Sequence, residues 1–273
     1  MICGRRISSF VITYNEQDNI GECLESLQWT DEIVVVDSYS TDATVDIARD
    51  FTDRVLQREF AGHVDQTRYA SQQTTHPWVL WLDADERMTQ EAFEEVHQAM
   101  SAGGEDPAGY AFPRRTYFMG CWITHSGWYP QPKVRLWQRD RGEVVGEEPH
   151  PKVQLEGPRR VLHGDILHYS YPGGMKDMVE TSKKYAWYAA RERHKKGRRF
   201  SFLSLLLKPP GNFLKKYVLQ LGMLDGLPGL AIAVGAAYYR FMREIMMWEL
   251  ENPHSRPQFI PPRESQRSPG ERD

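Results

Sequence analysis

The sequence predicts an α/β fold, with a mixed but mostly parallel sheet that carries helices on both faces and a C-terminal helical region that associates with a membrane. Three observations support this prediction. Strand and helix signals alternate through the first 100 residues, several strands are almost purely apolar, and the net charge changes sign after residue 172. Alternation with short connections is typical of βαβ units, and apolar strands are typical of a parallel sheet covered on both faces.

The first half of the chain contains four strand signals, each followed by a helix signal. ISSFVITY (7–14) is a short β-rich run, and EIVVVD (32–37) is nearly pure Val and Ile. DRVLQREF (53–60) is a weaker strand, whereas WVLWLD (78–83) is typical of a buried one. Helices are predicted over 16–29, 40–51, 63–75 and 89–100, and the last of these begins after Thr89 as its N-cap.

The second half does not continue this alternation. After a loop over 101–109, strand-like segments follow at 110–120, 133–139 and 161–171 without helices between them. We therefore expect this part of the sheet to be mixed.

From Pro172 onward the chain becomes basic and apolar. A basic helix is predicted over 174–196, an apolar segment interrupted by Pro209 and Pro210 over 200–229, and a last helix over 230–250. These features divide the chain into three parts, namely an α/β domain (1–172), a basic helical region (173–250) and a disordered tail (251–273).

The charge distribution indicates that the first two parts have different roles. Residues 1–172 carry 16 Lys and Arg against 27 Asp and Glu, whereas residues 173–250 carry 14 against 6. Cations interleaved with large apolar residues over 183–243 fit a nucleic acid or a membrane surface, and the long apolar runs favour the membrane over nucleic acid. The alternative is that these helices pack on the α/β domain or on a second copy of the chain.

Cysteine content and hydropathy predict the location. Three cysteines without metal-ligand spacing are typical of reduced thiols in a cytoplasmic protein. We expect no signal peptide and no membrane-spanning helix, because the nearest apolar window, 221–239, contains Asp225 and Pro228. The prediction is a cytoplasmic protein held peripherally on the inner face of the cytoplasmic membrane.

Polar and acidic residues follow three of the predicted strands. They are Tyr14-Asn15-Glu16, Asp37-Ser38 and Asp83-Ala84-Asp85. In doubly wound sheets, ligands bind outside the carboxyl ends of the strands. The Asp-x-Asp pair offers two hard oxygen ligands that suit Mg²⁺ or Mn²⁺. The alternative is that these acids are solvated, with Asp85 or Glu86 favouring the start of a helix.

The order of these segments also carries a family resemblance. VITYNEQDNIGECLESL, DEIVVVDSYSTDATVDIA and WVLWLDADER follow one another as in the family 2 glycosyltransferases with the GT-A (Rossmann-like) fold, which this chain strongly resembles. The similarity extends to GWYPQPKVRLWQR, LHGDILHYSY and YVLQLGMLDGLPGL, and so covers residues 7 to 250. Within the family, the chain is similar to bacterial enzymes that add a sugar to the lipopolysaccharide inner core, of the heptose-directed β-glucosyltransferase kind.

The resemblance implies roles for individual residues. Nucleotide binding is expected at Thr13, Tyr14, Glu16, Asp37, Ser38, Gln66, Arg68 and Asp83. Asp85 and His168 would bind a Mg or Mn ion that bridges the diphosphate. Plainer alternatives are a helix-start acid for Glu16 and a loop acid for Asp37. For Arg68 the alternative is a solvated helix residue, and for His168 it is a satisfied core histidine. Trp128 and Tyr129 would stack on the acceptor sugar or simply pack.

Several residues are candidates for the catalytic base. Relatives carry a His-Glu pair where this chain has His150 followed by Pro151. An inverting transfer needs a carboxylate or a histidine that takes the proton of the acceptor hydroxyl. The candidates are Glu148, preferred by proximity, and then Glu147, His150 and Asp165.

These expectations predict an inverting, metal-dependent hexosyltransferase. It would take a hexose from a nucleoside-diphosphate sugar, with UDP as the expected nucleotide, and transfer it to the lipopolysaccharide core or another lipid-linked saccharide. A polyprenyl-phosphate glycosyltransferase is the enzymatic alternative. A catalytically inactive nucleotide-sugar scaffold is the alternative of another class, which Pro151 keeps open.

Overall fold

The computed structural model describes residues 2, 4–102, 105–148 and 150–253. Cys3 and the predicted tail beyond residue 253 lie outside the described residues. The strands are β1 (Ile7–Thr13), β2 (Glu32–Asp37), β3 (Val55–Gln57), β4 (Trp78–Asp83), β5 (Glu86–Met88), β6 (Gly109–Phe112), β7 (Arg114–Phe118), β8 (Cys121–Trp122), β9 (Lys133–Gln138), β10 (Gly142–Glu147), β11 (His150–Leu155), β12 (Arg159–Val161) and β13 (Ile166–His168).

The main sheet has seven strands in the order β12-β6-β9-β4-β1-β2-β3. Strands β4, β1, β2 and β3 are parallel neighbours, whereas β9 runs antiparallel to both β4 and β6. The order places β1 and β4 at the centre, which explains why their sequences are almost entirely apolar. The prediction of a mixed, mostly parallel sheet in an α/β fold is confirmed.

Helices cover both faces of this sheet. They are α1 (Ile20–Glu25), α2 (Thr44–Arg49), α3 (His63–Gln73) and α4 (Gln90–Ser101). One core forms around Val11, Leu80 and Leu82, and the other lies on the opposite face around Phe10 and Trp81. The two sets alternate along β1 and β4 because successive side chains of a strand point to opposite faces. Thr89 accepts a hydrogen bond from Ala92 N, as expected of the N-cap of α4.

Two smaller sheets complete the domain. Strands β5, β13, β7 and β8 form one, and β10 and β11 form a hairpin that packs beside α3. The segment 161–171, predicted as one strand-like run, contributes only the end of β12 and the three residues of β13. Gly164 interrupts this segment. The backbone there packs so closely on α4 that a Cβ at position 164 would lie 2.3 Å from Ala92 Cα.

The C-terminal region consists of α5 (Met175–Lys195), α6 (Phe202–Leu214) and α7 (Gly226–Glu251). A π-helical turn (Lys215–Leu219) and a 3-10 turn (Gly222–Asp225) join α6 to α7. Met178 of α5 and Ile232 of α7 pack on Phe118 and Ile123, which joins these helices to the β7–β8 end of the small sheet.

The predicted interruption at Pro209 and Pro210 is wrong, because both residues lie inside α6. Proline removes one helical hydrogen bond, but α6 packs along α7, which supports it. The break falls instead near Leu221, whose φ of 54° is left-handed. Among the described residues no single helix is long and apolar enough to cross a membrane, whereas the pair Phe202–Leu219 and Gly222–Glu251, bent by 71°, passes that test together.

Candidate functional site

The carboxyl ends of three parallel strands meet at one edge of the main sheet. Thr13 of β1 pairs with Asp37 of β2, and Ile12 of β1 pairs with Asp83 of β4. The acidic and polar residues that follow these strands in the sequence are therefore neighbours in space. This edge is the candidate site.

Asp37 is buried, and its carboxylate is held by its own loop. It accepts hydrogen bonds from Ser40 N at 2.9 Å, from Ser40 Oγ, and from Gln57 Nε2 at 3.3 Å. Ser38 Oγ accepts from Gln66 Nε2 at 3.2 Å, while Gln66 Oε1 accepts from Arg58 Nη1 at 2.8 Å. The predicted residues Asp37, Ser38 and Gln66 thus lie in one hydrogen-bonded region at the carboxyl end of β2.

The loop after β1 is fixed against the loop after β2. Asn15, with a φ of 53°, donates from its backbone N to Ser40 Oγ at 2.8 Å, and its Oδ1 accepts from Thr41 N at 2.8 Å. Tyr14 is 57% exposed, so its ring is free to stack on a ligand. Thr13 Oγ1 is buried and has no hydrogen-bond partner among the described residues.

Glu16 connects this loop to the acids of β4. Burial raises the pKa of Glu16, the Asn19 side chain partly offsets that rise, and the charge of Asp85 adds to it. Its side chain accepts from Asn19 Nδ2 at 2.8 Å. The carboxyls of Glu16 and Asp85 therefore share one electrostatic environment.

The three acids that follow β4 have different surroundings. Asp83 accepts from Trp81 Nε1 at 3.0 Å and from Arg135 Nη2 at 2.7 Å. Glu86 is fully buried and accepts from Arg135 Nη2 at 2.5 Å and from Arg114 Nη1 at 3.3 Å. The alternative that Glu86 favours the start of a helix is wrong, because Glu86 lies in β5 and forms a buried ion pair.

Arg135 and Arg114 decide the charge of this cluster. Burial by itself would raise the pKa of Glu86, but Arg135 and then Arg114 outweigh burial and lower it. Arg135 also lies 4.1 Å above the ring of Trp81. Two guanidinium groups thus offset Asp83 and Glu86, which leaves Asp85 as the carboxylate of this group that has no arginine partner among the described residues.

Asp85 faces His168 instead. Its Oδ2 lies 3.3 Å from His168 Nε2, and its backbone O accepts from Tyr169 N at 2.9 Å. Thr116 Oγ1 lies 3.2 Å from His168 Nδ1, and Ser170 Oγ contacts both ring nitrogens. The hydroxyls of Thr116 and Ser170 thus fix the ring of His168, and Nε2 is shared between Ser170 and Asp85.

One carboxylate and one imidazole fit a divalent cation in part. Within the described ranges no group of three His, Cys, Asp or Glu side chains converges to hold a metal ion. Mg²⁺ commonly takes one or two protein carboxylates and fills its shell with water and substrate phosphates. Asp85 and His168 therefore fit an ion that arrives with a phosphorylated ligand, and do not form a complete site by themselves.

Arg68, predicted beside the nucleotide, has a partner on the hairpin. It is exposed, and its Nε donates to Val144 O of β10 at 3.2 Å. The structure therefore gives Arg68 a packing contact between α3 and β10. Its role toward a phosphate stays a prediction.

Glu148, the preferred base, closes the amino end of α3. Its carboxylate accepts from the backbone N of His63 at 2.7 Å, of Val64 at 2.8 Å and of Asp65 at 3.4 Å. Gly62 leaves room for it, since a Cβ at Gly62 would lie 2.5 Å from Glu148 Oε1. Glu148 thus caps a helix across 84 residues of sequence, a role that sequence reasoning did not detect.

The other candidate bases are spread over two places. Glu147 is exposed and lies 3.7 Å from Lys196 Nζ, and the His150 ring lies 5.5 Å from the ring of Tyr185. Asp165 pairs with Arg115 at 2.7 Å. Asp165 directly precedes β13, and Arg115 of β7 holds its carboxylate, whereas Asp85 contacts His168 at the end of β13.

The predicted acceptor residues also separate. Trp128 stacks on Tyr171 at 5.7 Å, and the charge of Asp85 contributes to the raised pKa of Tyr171 after burial and Tyr185. Tyr129 lies instead at Arg115, whose guanidinium is 5.0 Å from its ring. Trp128 is therefore on the side of Asp85, whereas Tyr129 is on the side of Asp165.

Two further residues of the site were not predicted. Burial lowers the pKa of His63, whose imidazole interacts electrostatically with Glu148 and Asp83. Asp225 is almost fully buried and accepts from Thr124 N at 3.2 Å, Thr124 Oγ1 at 3.1 Å and His125 N at 3.0 Å. Asp225 thereby fixes the loop before Trp128 to the start of α7. Its place within LGMLDGLPGL, directly before a helix, was the available signal.

Comparisons with known proteins give one family match and several similar sequences. The sequence model described as Glycosyl transferase family 2 matches residues 8–156. The lipopolysaccharide core biosynthesis glycosyltransferase LpsC of Rhizobium meliloti (strain 1021) is 29% identical over 258 residues, which cover 92% of this chain and 95% of that protein. An uncharacterized glycosyltransferase of Rickettsia typhi (strain ATCC VR-144 / Wilmington) is 27% identical over 257 residues, which cover 90% of this chain and 88% of that protein.

Solved structures give weaker likenesses. S. aureus TarS (1–349) superposes with a TM-score of 0.47 at 17% identity, covering 90% of this chain and 91% of that chain. Mannosyl-3-phosphoglycerate synthase from Rubrobacter xylanophilus superposes with a TM-score of 0.48 at 16% identity, covering 73% of this chain and 77% of that chain.

Proposed function

The chain belongs to glycosyl transferase family 2, and we propose that it moves a hexose from a UDP-sugar, with inversion, to a lipid-anchored saccharide such as the lipopolysaccharide core. The observation that carries this proposal is the meeting of the Asp37 network and Asp85 at the carboxyl ends of adjacent parallel strands. One side of this edge suits a nucleoside and the other a diphosphate. The similarity to LpsC, a lipopolysaccharide core biosynthesis glycosyltransferase, supports the choice of acceptor class.

The nucleoside half would lie over β1 and β2. Asp37 is buried with its acceptor oxygens fixed by Ser40 and Gln57, so it is pre-arranged to hydrogen-bond a base. Tyr14 is exposed above it and offers a ring for stacking. Glu16, whose pKa is raised mainly by burial, is positioned to accept hydrogen bonds from ribose hydroxyls.

The diphosphate half would lie at Asp85 and His168. We propose that these two residues hold a Mg²⁺ or Mn²⁺ ion, which when bound stabilises the leaving diphosphate. Charge favours a bound cation, because the carboxylate of Asp85 would repel a diphosphate unless a cation lay between them. Arg135 and Arg114 keep Asp83 and Glu86 paired, and so keep the remaining negative charge on Asp85.

For the proton acceptor, we propose the group formed by Glu148, His63 and His150. Glu148 and His63 lie at the same amino end of α3, and His63 and His150 interact electrostatically. The lowered pKa of His63, caused by burial, keeps its imidazole neutral near pH 7 and able to accept a proton. Asp165 is less suited, because its carboxylate is paired with Arg115 at 2.7 Å.

The C-terminal helices would bring the enzyme to its acceptor. We propose that they lie on the inner face of the cytoplasmic membrane, with the large apolar side chains of α6 in the lipid and the neighbouring lysines at the headgroups. Asp225 joins this region to the loop that carries Trp128. An acceptor anchored in the same membrane would then reach the site without leaving the lipid surface.

Donor binding and turnover test the proposal separately. Thermal-shift measurements with UDP-glucose, UDP-galactose, GDP-mannose and ADP-heptose, each with and without Mn²⁺, are expected to show stabilisation by a UDP-sugar that requires the ion. Hydrolysis of that sugar without acceptor should be lost in Asp85→Asn. Donor binding with no hydrolysis and no transfer in the wild type would support the inactive scaffold. Stabilisation by none of the four donors would overturn the assignment of the pocket.

A further inference from the structure

Helix α6 is apolar, yet none of its 13 residues is buried. Its packing partner is α7, and the rest of its surface carries large exposed side chains, with Leu203 65% and Leu207 60% exposed. The turn that follows continues this surface, and Leu219 is 78% exposed. This apolar face is far more exposed than is usual for a surface in contact with water alone.

A cavity of about 380 Å³ opens beside this face, between α6 and α7. It is lined by Lys208, Gly211, Asn212, Lys215 and Arg240. Gly211, Asn212 and Lys215 follow Lys208 by three, four and seven positions along α6 and the π-helical turn, so the four residues form one stripe that faces Arg240 of α7. A Cβ at Gly211 would meet no atom within 4 Å, so the floor of the cavity is open.

The cations around the cavity have one acid, Glu244, near them, and it is shared. Lys208 shares Glu244, at 3.4 Å, with Arg243, which lies 2.6 Å from the same carboxylate. Lys215 and Arg240 have no carboxylate partner among the described residues. Burial and then the charge of Arg243 lower the pKa of Arg240, as expected where cations repel one another. An anion in this cavity would relieve that repulsion.

We propose that this cavity binds the phosphate of an anionic phospholipid headgroup, held by Lys215 and Arg240 while the apolar face of α6 lies in the acyl region beside it. Asn212 is held by Ala236 O at 2.9 Å and shapes the wall between the two helices. Two cations beside an apolar face match the charge and the polarity of a phospholipid at the headgroup boundary. The inference rests on the proposed membrane association and adds a specific headgroup site to it.

The test compares two anionic lipids of equal charge. Vesicles of an uncharged galactolipid receive the same mole fraction of either phosphatidylglycerol or a sulfonate-bearing sulfolipid, and the bound fraction of the full chain is measured by flotation. The pocket variant is Lys215→Gln/Arg240→Gln. Its matched control, Arg198→Gln/Arg199→Gln, removes two exposed charges from the loop before α6.

The wild type is expected to prefer the phosphatidylglycerol vesicles by at least about ten-fold, the order of one charge-assisted hydrogen bond. The pocket variant should lose this preference and bind both vesicles alike, whereas the control should weaken on both vesicles equally and keep the preference. Lys215→Gln alone, at an exposed position, should lose part of the preference if the double variant folds poorly.

Three results would overturn the inference in distinguishable ways. Equal losses in the pocket variant and the control would reduce the cavity to diffuse electrostatic attraction, with membrane association retained. Saturable binding of glycerol phosphate without vesicles, lost in the pocket variant, would assign the cavity to a soluble phosphate. Absence of wild-type binding to any vesicle, with a dimer in sedimentation equilibrium, would assign the apolar face to a second copy and remove the membrane proposal itself.

Discussion

Strand β4 and helix α6 contain the same kinds of large apolar side chains, but β4 buries them and α6 leaves them exposed. Trp78 through Leu82 are buried on both faces of the central sheet, and the charges at the end of β4 are met by arginines inside the protein. In α6 no residue is buried, and the nearby cations face an open cavity. The first region satisfies its side chains within the fold, whereas the second leaves both its apolar surface and its charge to an external partner.

The largest effect is expected from removing Arg135. Arg135→Met would leave Glu86 buried without its main counter-charge, and breaking a buried pair in this way costs about 3–5 kcal/mol of the free energy of unfolding. Urea unfolding measures the loss. Arg159→Met, on the exposed edge strand β12, is the control and should be nearly neutral. Adding Glu86→Gln to Arg135→Met should recover part of the loss, and no recovery would contradict the pairing.

The pH dependence of this pair has a definite sign. In the wild type the pKa of Glu86 is lowered by Arg135 and Arg114 against burial, so the pair's contribution is complete above the ordinary value of 4.5 and is lost as pH falls through the lower folded pKa. The difference in stability between wild type and Arg135→Met should therefore be greatest near neutral pH and shrink below pH 4.5. A difference that is constant with pH would remove Glu86 as its cause.

The next effect concerns activity and not stability. Asp85→Asn is expected to lower sugar transfer by about 10²–10³-fold, the usual loss when one preorganised electrostatic contact to the reacting group is removed. Its free energy of unfolding should change by less than about 0.5 kcal/mol, because the side chain is partly exposed and holds only His168 among the described residues. Asp83→Asn is the comparison, since Arg135 would lose a partner and stability should fall with activity.

Substitution of Asp225 tests whether the loop before Trp128 is coupled to the C-terminal helices. Asp225→Asn keeps the size of the side chain but weakens the hydrogen bonds to Thr124 and His125, which is expected to cost about 1–3 kcal/mol. If the loop carries the acceptor contact at Trp128, the KM for acceptor should rise while the donor's thermal shift stays unchanged. Equal changes for donor and acceptor would indicate a general loss of folding.

Glu148→Gln separates capping from chemistry. Loss of the carboxylate at the amino end of α3 should lower the free energy of unfolding by about 0.5–2 kcal/mol, the usual range for an N-cap. Circular dichroism on urea titration measures this change, with Glu147→Gln at the exposed neighbouring position as the control. Unchanged stability together with lost turnover would assign Glu148 to proton transfer alone.

Much of the fold and part of the site could be predicted from the sequence. Apolar strands such as β4 can be recognised in the sequence because burial on both faces requires a continuous apolar run. Acids at the ends of such strands indicate the edge of the sheet where ligands bind. Asp37, Asp83 and Asp85 were found in this way, because their positions along their own strands determine where they lie.

The remaining site residues depend on contacts between distant segments. The cap formed by Glu148 at His63 and the pairing of Arg135 with Glu86 join residues 85 and 49 positions apart, and no local pattern encodes such distances. A charged residue within the strand KVRLWQ was a signal, because an arginine in a buried strand needs a partner. Asp165 likewise has a distant partner, Arg115, which is 50 positions away, and its role as a base stays a prediction.

The smallest effect on stability is expected from shortening an exposed leucine of α6, in contrast to a buried leucine of β4. Leu80→Ala in β4 should cost about 2–5 kcal/mol, as buried leucines do. Leu207→Ala in α6 should change the free energy of unfolding by less than about 0.5 kcal/mol, because Leu207 is 60% exposed and alanine favours the helix. On anionic vesicles the same substitution should weaken binding by roughly ten-fold, since the leucine side chain would no longer enter the lipid. A large stability loss for Leu207→Ala, with no change in vesicle binding, would mean that the apolar face of α6 is covered by protein and that both regions satisfy their side chains in the same way.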